Sequence, residues 1–249
     1  MQTTAFSLSG KTIFVTGASS GIGRQVCVTA AQQGAKIVLS GRNEEELQKT
    51  LALLPGHEHL IVAADLTSIE ARENLLKQLP QLDGMVYCAG GVKSFPIRFL
   101  SEKRLDEMQL NFDAPAMLTA GLLRLKKLNR EASLVYLSSI SSNHPPKGGA
   151  IYGASKAALE SYVKVLARET APQLIRANCI SPGMVKTPLY DRVETNISKE
   201  EMDKHIADYP LGAGLPEDVA YAAVYLLSPA SRWVTGINLI LDGGFLLGT

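Results

Sequence analysis

The chain has 249 residues, 25 of them Lys or Arg and 24 Asp or Glu, for a formal net charge of +1. So even a balance leaves no electrostatic footprint for nucleic acid or for an anionic membrane. A chain of this length, 46% hydrophobic, buries a full core without metals or disulfides, yet no apolar run reaches membrane-spanning length.

In chain order, residues 12–16 read as a strand, 22–33 as a helix, 36–40 as a strand and 43–54 as a charged helix. Next come a strand at 60–64, a helix at 69–79, a strand at 84–88 and a long helix, or two, at 102–125. A strand at 133–138, a helix at 152–170, a strand at 175–180, a helix at 217–227 and a strand at 237–241 complete the series. Such alternation predicts an α/β fold, with seven strands in a mostly parallel sheet and helices on both faces. The strands are continuous apolar runs, as expected when both faces are covered. No linker or repeat divides residues 1–249, so one domain is expected. Residues 188–209 form an irregular stretch with its own polar helix pattern. Because it follows Pro182-Gly183 at a strand end, it reads as a substrate-loop insertion that closes over a site, rather than as a solvated surface helix.

Cys27, Cys88 and Cys179 lie far apart in apolar segments, without metal-ligand spacing. They read as buried free thiols in a reducing compartment, and no metal is expected. Residues 1–7 lack a basic stretch followed by an apolar one, so no secretion signal and a cytoplasmic location are expected.

Thr16-Gly17-Ala18-Ser19-Ser20-Gly21-Ile22-Gly23 follows the first strand and opens the first helix. Glycines let backbone amides approach a phosphate, and the helix N-terminus adds positive charge, so a dinucleotide is expected here. The second strand ends Leu39-Ser40-Gly41-Arg42. The acid that would hold a ribose 2′-hydroxyl is missing, and Arg42 stands ready for a 2′-phosphate, which favours NADP(H) over NAD(H). The plainer alternative is an Arg42 that only covers the surface or stacks on adenine. Asp65, at the end of the third strand, is placed to accept from the adenine amino group and equally to N-cap the next helix, two compatible roles. Tyr152 and Lys156 are four residues apart, on one face of a helix. An ammonium beside a phenol favours the phenolate and suits proton transfer to or from an oxygen. His57-Glu58-His59 has no third ligand and reads as solvated.

Together these motifs resemble the short-chain dehydrogenase/reductase family in its compact form, from Lys11 to Gly244. The glycine motif matches at Gly17, Gly21 and Gly23. The family's helix asparagine corresponds to Asn111, and its serine to Ser139, thirteen residues before Tyr152. Ser138 is the competing serine, and that spacing leaves it to satisfy nearby backbone groups. Pro182-Gly183-Met184-Val185-Lys186-Thr187, Thr235-Gly236 and Asp242-Gly243-Gly244 match the later motifs. Tyr87-Cys88-Ala89-Gly90 departs from the family's Asn-Asn-Ala-Gly. Ala89 and Gly90 keep the backbone turn, while a side-chain hydrogen bond propping the neighbouring strand is expected to be lost.

The resemblance implies a Rossmann-type fold and a catalytic set of Asn111, Ser139, Tyr152 and Lys156. Tyr152 would exchange the proton and Lys156 would lower its pKa and hold the nicotinamide ribose. Ser139 would bond the substrate oxygen, and Asn111 would hold a water linking Lys156 to solvent. Cofactor contacts would come from Gly17, Ser19, Ser20, Gly21, Ile22, Gly23, Arg42, Asp65, Leu66, Ala89 and Gly90. Pro182, Gly183, Val185 and Thr187 would complete them, together with Asn111, Tyr152 and Lys156. The implied activity is NADPH-dependent reduction of a ketone, closest in layout to 3-oxoacyl-(acyl carrier protein) reductases. Only Lys147 and Lys186 add basic charge near the site, slight support for an acyl-carrier partner. The same features suit an NAD(P)-dependent sugar or secondary-alcohol dehydrogenase, or a dinucleotide-binding regulator without turnover. The family also implies a homotetramer or dimer packed through residues 102–125 and 152–170.

Overall fold

The computed structural model describes residues 4–188 and 199–248. Its strands are β1 (Thr12–Thr16), β2 (Lys36–Ser40), β3 (Leu60–Ile61), β4 (Leu82–Tyr87), β5 (Leu128–Leu137), β6 (Arg176–Pro182) and β7 (Asn238–Leu241). They form one sheet in the order β3-β2-β1-β4-β5-β6-β7, and every neighbouring pair is parallel. The sheet is therefore wholly parallel, not mostly so. Every link between paired strands is a crossover, and parallel neighbours cannot be joined by a tight hairpin. Past β3, Val62 and Ala64 still donate to the Leu39 and Gly41 carbonyls, so the expected strand continues to residue 64 as looser bonding.

The helices are α1 (Gly21–Gln32), α2 (Glu44–Leu51), α3 (Ile69–Gln78), α4 (Asp106–Met108), α5 (Ala114–Arg124), α6 (Ala150–Thr170), α7 (Lys199–Ala207) and α8 (Pro216–Leu227). Alternating strand residues divide the core between the two faces. Phe14, Val38, Met85 and Leu134 face α3, α5 and α6 through Leu75, Leu118, Leu122, Leu159 and Val163. Ile13, Val15, Ile37, Leu39, Val86 and Val135 face α1, α2 and α8 through Val26, Ala30, Leu47, Val219 and Leu227. Of the expected insertion, α7 is seen, and residues 189–198 lie outside the described residues. No helix among the described residues is long and apolar enough to cross a membrane.

The stretch expected as one or two helices at 102–125 is broken further. A 3₁₀ turn (Glu102–Arg104) and α4 lead into a π turn (Gln109–Asp113), and only then does α5 begin. Pro115 lies in the first turn of α5 and has no N–H to return to the preceding turn, so a regular α-ladder cannot run through this point. The π turn absorbs the mismatch.

The chain turns back on itself between β1 and β4: β2 and β3 lie on one side, β5 to β7 on the other. In a parallel sheet the strand ends splay apart at such a point and open a crevice. Gly84 on β4 sits directly beneath α8, where an added Cβ would stand 2.8 Å from Leu227 Cδ2 and 2.9 Å from Ile13 Cδ1. Gly84→Val should cost about 1–3 kcal/mol through overpacking, read by urea unfolding. A loss below roughly 0.5 kcal/mol, the ordinary surface range, would mean that the α8 interface can yield.

Candidate active site

At the end of β1, Gly17 has φ +65°, and an added Cβ would stand 2.8 Å from the Ala89 nitrogen. Cys88 and Ala89 also donate their N–H groups to Thr16 Oγ1, both at 3.2 Å, which locks the turn after β4 onto the end of β1. A Cβ on Gly23 would lie 2.2 Å from the Gly17 oxygen, so α1 can rise this close to the loop only from a glycine. The loop is braced from behind. Thr50 Oγ1 donates to the Ala18 carbonyl at 2.9 Å, and Arg24 donates to the Ser19 carbonyl and pairs with Glu46 at 3.1 Å. The Ala18 amide is spent as well, donating to the Ser40 carbonyl at 3.0 Å, which ties the loop to the end of β2. Ser20 precedes α1 without a side-chain cap bond, and no acid stands in the first turn. Its open N–H groups suit an anion.

The crevice measures about 380 Å³. It gathers Gly17, Ser19, Ser20, Gly21, Ile22, Gly23, Arg42, Asp65, Leu66, Ala89, Gly90 and Thr187 from the expected cofactor set. Gly41, Ala64, Thr67, Cys88, Leu110 and Pro188 join them without having been expected. Pro182, Gly183 and Val185 do not line it. Gly183 donates to the Leu241 carbonyl and Val185 bridges Gly214, so this segment steers Thr187 across the crevice to Gly21. A bare glycine cradle, a helix end without a cap and an elongated crevice at the switch point fit a dinucleotide.

Arg42 is exposed at the rim and forms no ion pair among the described residues. Asp65 does not cap α3; Ser68 does, accepting from Ala71 N. Asp65 instead closes a turn onto Thr67 N and Oγ1, at 2.9 and 2.7 Å. Those bonds hold its carboxyl below the usual range, helped by Arg42 and Arg72 and opposed by burial. His59 is not free either: its Nδ1 accepts from Ile37 N at 3.0 Å, beside β2.

The floor of the site is built from β5, α6 and the π turn. Ser139 follows β5, accepts from Ser141 N at 3.2 Å and lies beside the Tyr152 phenol. Ser138 is spent elsewhere: it donates to Glu160 Oε1 at 2.6 Å and, weakly, to the Lys156 carbonyl. Lys156 Nζ donates to the Leu137 carbonyl at 2.7 Å and stands 5.7 Å from the centre of the Tyr152 ring. Asn111 is fully buried. It accepts from Gly91 N at 3.0 Å and donates to the Gly91 carbonyl at 2.9 Å and to Ser155 Oγ at 3.2 Å. Ser155 donates on to the Tyr152 carbonyl at 2.7 Å. A Cβ on Gly90 would stand 3.2 Å from Asn111 Oδ1 and 3.6 Å from Lys156 Nζ, so the floor adjoins the crevice.

The electrostatics run against the sequence expectation. Burial raises the Tyr152 phenol above its ordinary value; the Ser139 hydrogen bond draws it back in part, and the Glu107 charge adds to the rise. Burial also lowers the Lys156 ammonium to about 8. Desolvation, and not the ammonium–phenol attraction that the four-residue spacing suggested, therefore sets both groups. Glu107 was not singled out in the sequence. It is 4% exposed, accepts from Lys93 N at 2.6 Å and has its own carboxyl raised by burial. An acid on an interrupted helix of mixed polarity carries no sequence signal for such burial. Tyr87 adds a bond that the sequence did not suggest: its hydroxyl donates to the Leu110 carbonyl in the π turn at 3.0 Å.

Comparison with known proteins places the chain among NAD(P)-dependent oxidoreductases. Residues 17–246 match the family model described as enoyl-(acyl carrier protein) reductase. A 3-oxoacyl-[acyl-carrier-protein] reductase FabG of Rickettsia bellii is 34% identical over 242 residues, covering 96% of this chain and 98% of that protein. A solved dehydrogenase/reductase from Sinorhizobium meliloti aligns with a TM-score of 0.89 at 31% identity, over 98% of each chain. A protein of Beutenbergia cavernae, assigned as an NAD(P)-dependent gluconate 5-dehydrogenase and solved with NADP at low occupancy, aligns at 0.88 and 30% identity. That alignment spans 98% of this chain and 99% of that one. The chain belongs to the short-chain dehydrogenase/reductase family.

The Lys156 shift has a definite sign. The unfolded chain keeps the proton up to roughly pH 10.4, the folded chain only to about 8. Between those values the unfolded state binds more protons, so stability rises with pH as the burial cost is relieved. The unfolding free energy of the wild type minus that of Lys156→Met should therefore climb between about pH 8 and 10. A flat difference would contradict a lowered Lys156.

Proposed function

We propose that this oxidoreductase reduces a ketone to a secondary alcohol with NADPH, with a 3-oxoacyl compound as the leading substrate class. The carrying observation is the convergence of Ser139, Tyr152 and Lys156 beside Gly90, where the crevice meets the floor. The glycine loop would hold the pyrophosphate, Asp65 the adenine, Arg42 the 2′-phosphate, and Lys156 the nicotinamide ribose. Pro182, Gly183, Val185 and Thr187 would fix the carboxamide end. The reduced nicotinamide supplies the hydride when bound.

Tyr152 donates the proton to the carbonyl oxygen. Its raised pKa keeps the phenol protonated until charge builds on that oxygen, which suits a general acid. Ser139 donates a hydrogen bond to the same oxygen as the charge grows. The Asn111 side chain is committed to Gly91 and Ser155, so a relay water would sit on its carbonyl. Similarity to the Rickettsia protein supports the 3-oxoacyl class, and similarity to the Beutenbergia protein keeps a sugar or secondary-alcohol substrate as the second reading. Met117 and Val165, 55% and 54% exposed on α5 and α6, support a dimer or tetramer packed through these helices.

Tyr152→Phe should lower kcat by roughly 10²–10⁴-fold on a responsive carbonyl while NADPH binding is kept, the range expected of a general acid. A panel of 3-oxoacyl thioesters, sugars and simple ketones, followed at the NADPH absorbance band, measures this. Unchanged turnover in the variant would exclude the phenol from the proton step. Arg42→Ala should cut the NADPH-over-NADH preference by roughly 10- to 100-fold, the worth of a charge-assisted hydrogen bond. An unaltered ratio of kcat/KM values would show that Arg42 does not read the 2′-phosphate.

A further inference from the structure

Tyr87 stands where the family places asparagine. Its ring is 1% exposed at the end of β4, and its hydroxyl donates to the Leu110 carbonyl at 3.0 Å. Burial raises the phenol far above its ordinary value, so it remains a donor across the working pH range.

The acceptor explains why a donor is needed there. In α register the Leu110 carbonyl would receive the N–H of residue 114; in a π turn the donor moves to residue 115. That residue is Pro115, which has no N–H. A carbonyl left unpaired inside the protein is costly. The phenol reaches it from the sheet side. The next residue is Asn111, whose carboxamide clamps both backbone groups of Gly91 and also holds Ser155.

We propose that Tyr87 is a positioning residue: its hydroxyl completes the π turn that Pro115 leaves one N–H short, and so fixes Asn111 against Gly91 and Ser155 beside Lys156. Tyr87 and Pro115 are then one device divided between strand and helix. The phenol is required because residue 115 is proline. This role rests on the reading of Asn111 and Lys156 as parts of the proton path.

Tyr87→Phe, Pro115→Ala and the double variant test the device. The Gly91 amide is bonded directly to Asn111, so its hydrogen exchange reports the placement of Asn111 without any turnover. In Tyr87→Phe this exchange should quicken at least about tenfold, while amides of β1 stay within roughly twofold of wild type. In the double variant the restored N–H should return Gly91 to within about threefold of wild type. On a responsive carbonyl, Tyr87→Phe should lower kcat about tenfold and enlarge the solvent deuterium isotope effect, with the KM for NADPH unchanged. An unaltered Gly91 exchange in Tyr87→Phe, or an equal loss with and without Pro115, would overturn the proposal. Should Tyr87→Phe fail to fold, the double variant decides: folded with Gly91 protected supports the device, unfolded refutes it. If exchange responds as expected but the wild type reduces no carbonyl, the link from Tyr87 to Asn111 stands and the proposed function fails.

Discussion

Gly17 and Ala89 pass so close that one added methyl group on Gly17 would stand 2.8 Å from the Ala89 nitrogen. This contact between the ends of β1 and β4 sets the geometry of everything around it. Thr16 can reach the amides of Cys88 and Ala89 only because the strands end side by side. The turn after β4 then carries Gly90 and Gly91 into place, and Gly91 is the partner of Asn111. The crevice for the nucleotide and the floor for the chemistry are thus two sides of a single backbone approach. The parallel sheet makes that approach available at its switch point, and glycine permits it.

Two effects oppose each other at the floor, and burial prevails. A lysine one helical turn from a tyrosine ought to acidify it. Enclosure between β5 and α6 makes the charged form of each group costly, so the phenol rises and the ammonium falls to about 8. The phenol is thereby kept protonated, while the ammonium gives up its proton more readily than a free lysine.

Much of this was legible beforehand. The strand–helix alternation fixed the sheet, because covered strands are apolar runs and crossover helices show a 3.6-residue period. The glycine spacing located the crevice, since few other sequences tolerate such a close backbone approach. Boundaries were less legible where local pattern and tertiary pairing disagree. Residues 128–132 read as polar, yet they extend β5 because Leu82 pairs with Leu128. The π turn could not be read from periodicity, for one inserted residue breaks the very period used to recognise a helix. The turn at Asp65 and the bond at His59 were illegible for a similar reason. Their partners, Thr67 and the Ile37 amide, depend on turns that propensity does not specify. Tyr87 looked like a loss by comparison with the family, and only the structure showed what its hydroxyl reaches.

Glu160 lies one turn beyond Lys156, 9% exposed, and its Oε1 accepts from Ser138 at 2.6 Å and from Ser181 at 3.1 Å. These serines belong to the exit of β5 and to β6, so a single carboxylate reads two strands at once. It works as a key that sets the rotational phase of α6. Turning the helix by one residue, about 100°, would break both bonds. The aim of Tyr152 is therefore set from the sheet rather than from the loops that would meet a substrate. Those loops are free to diverge, or to be exchanged by grafting, without re-aiming the phenol. A scaffold keyed in this way can change what it recognises while leaving the direction of its proton untouched.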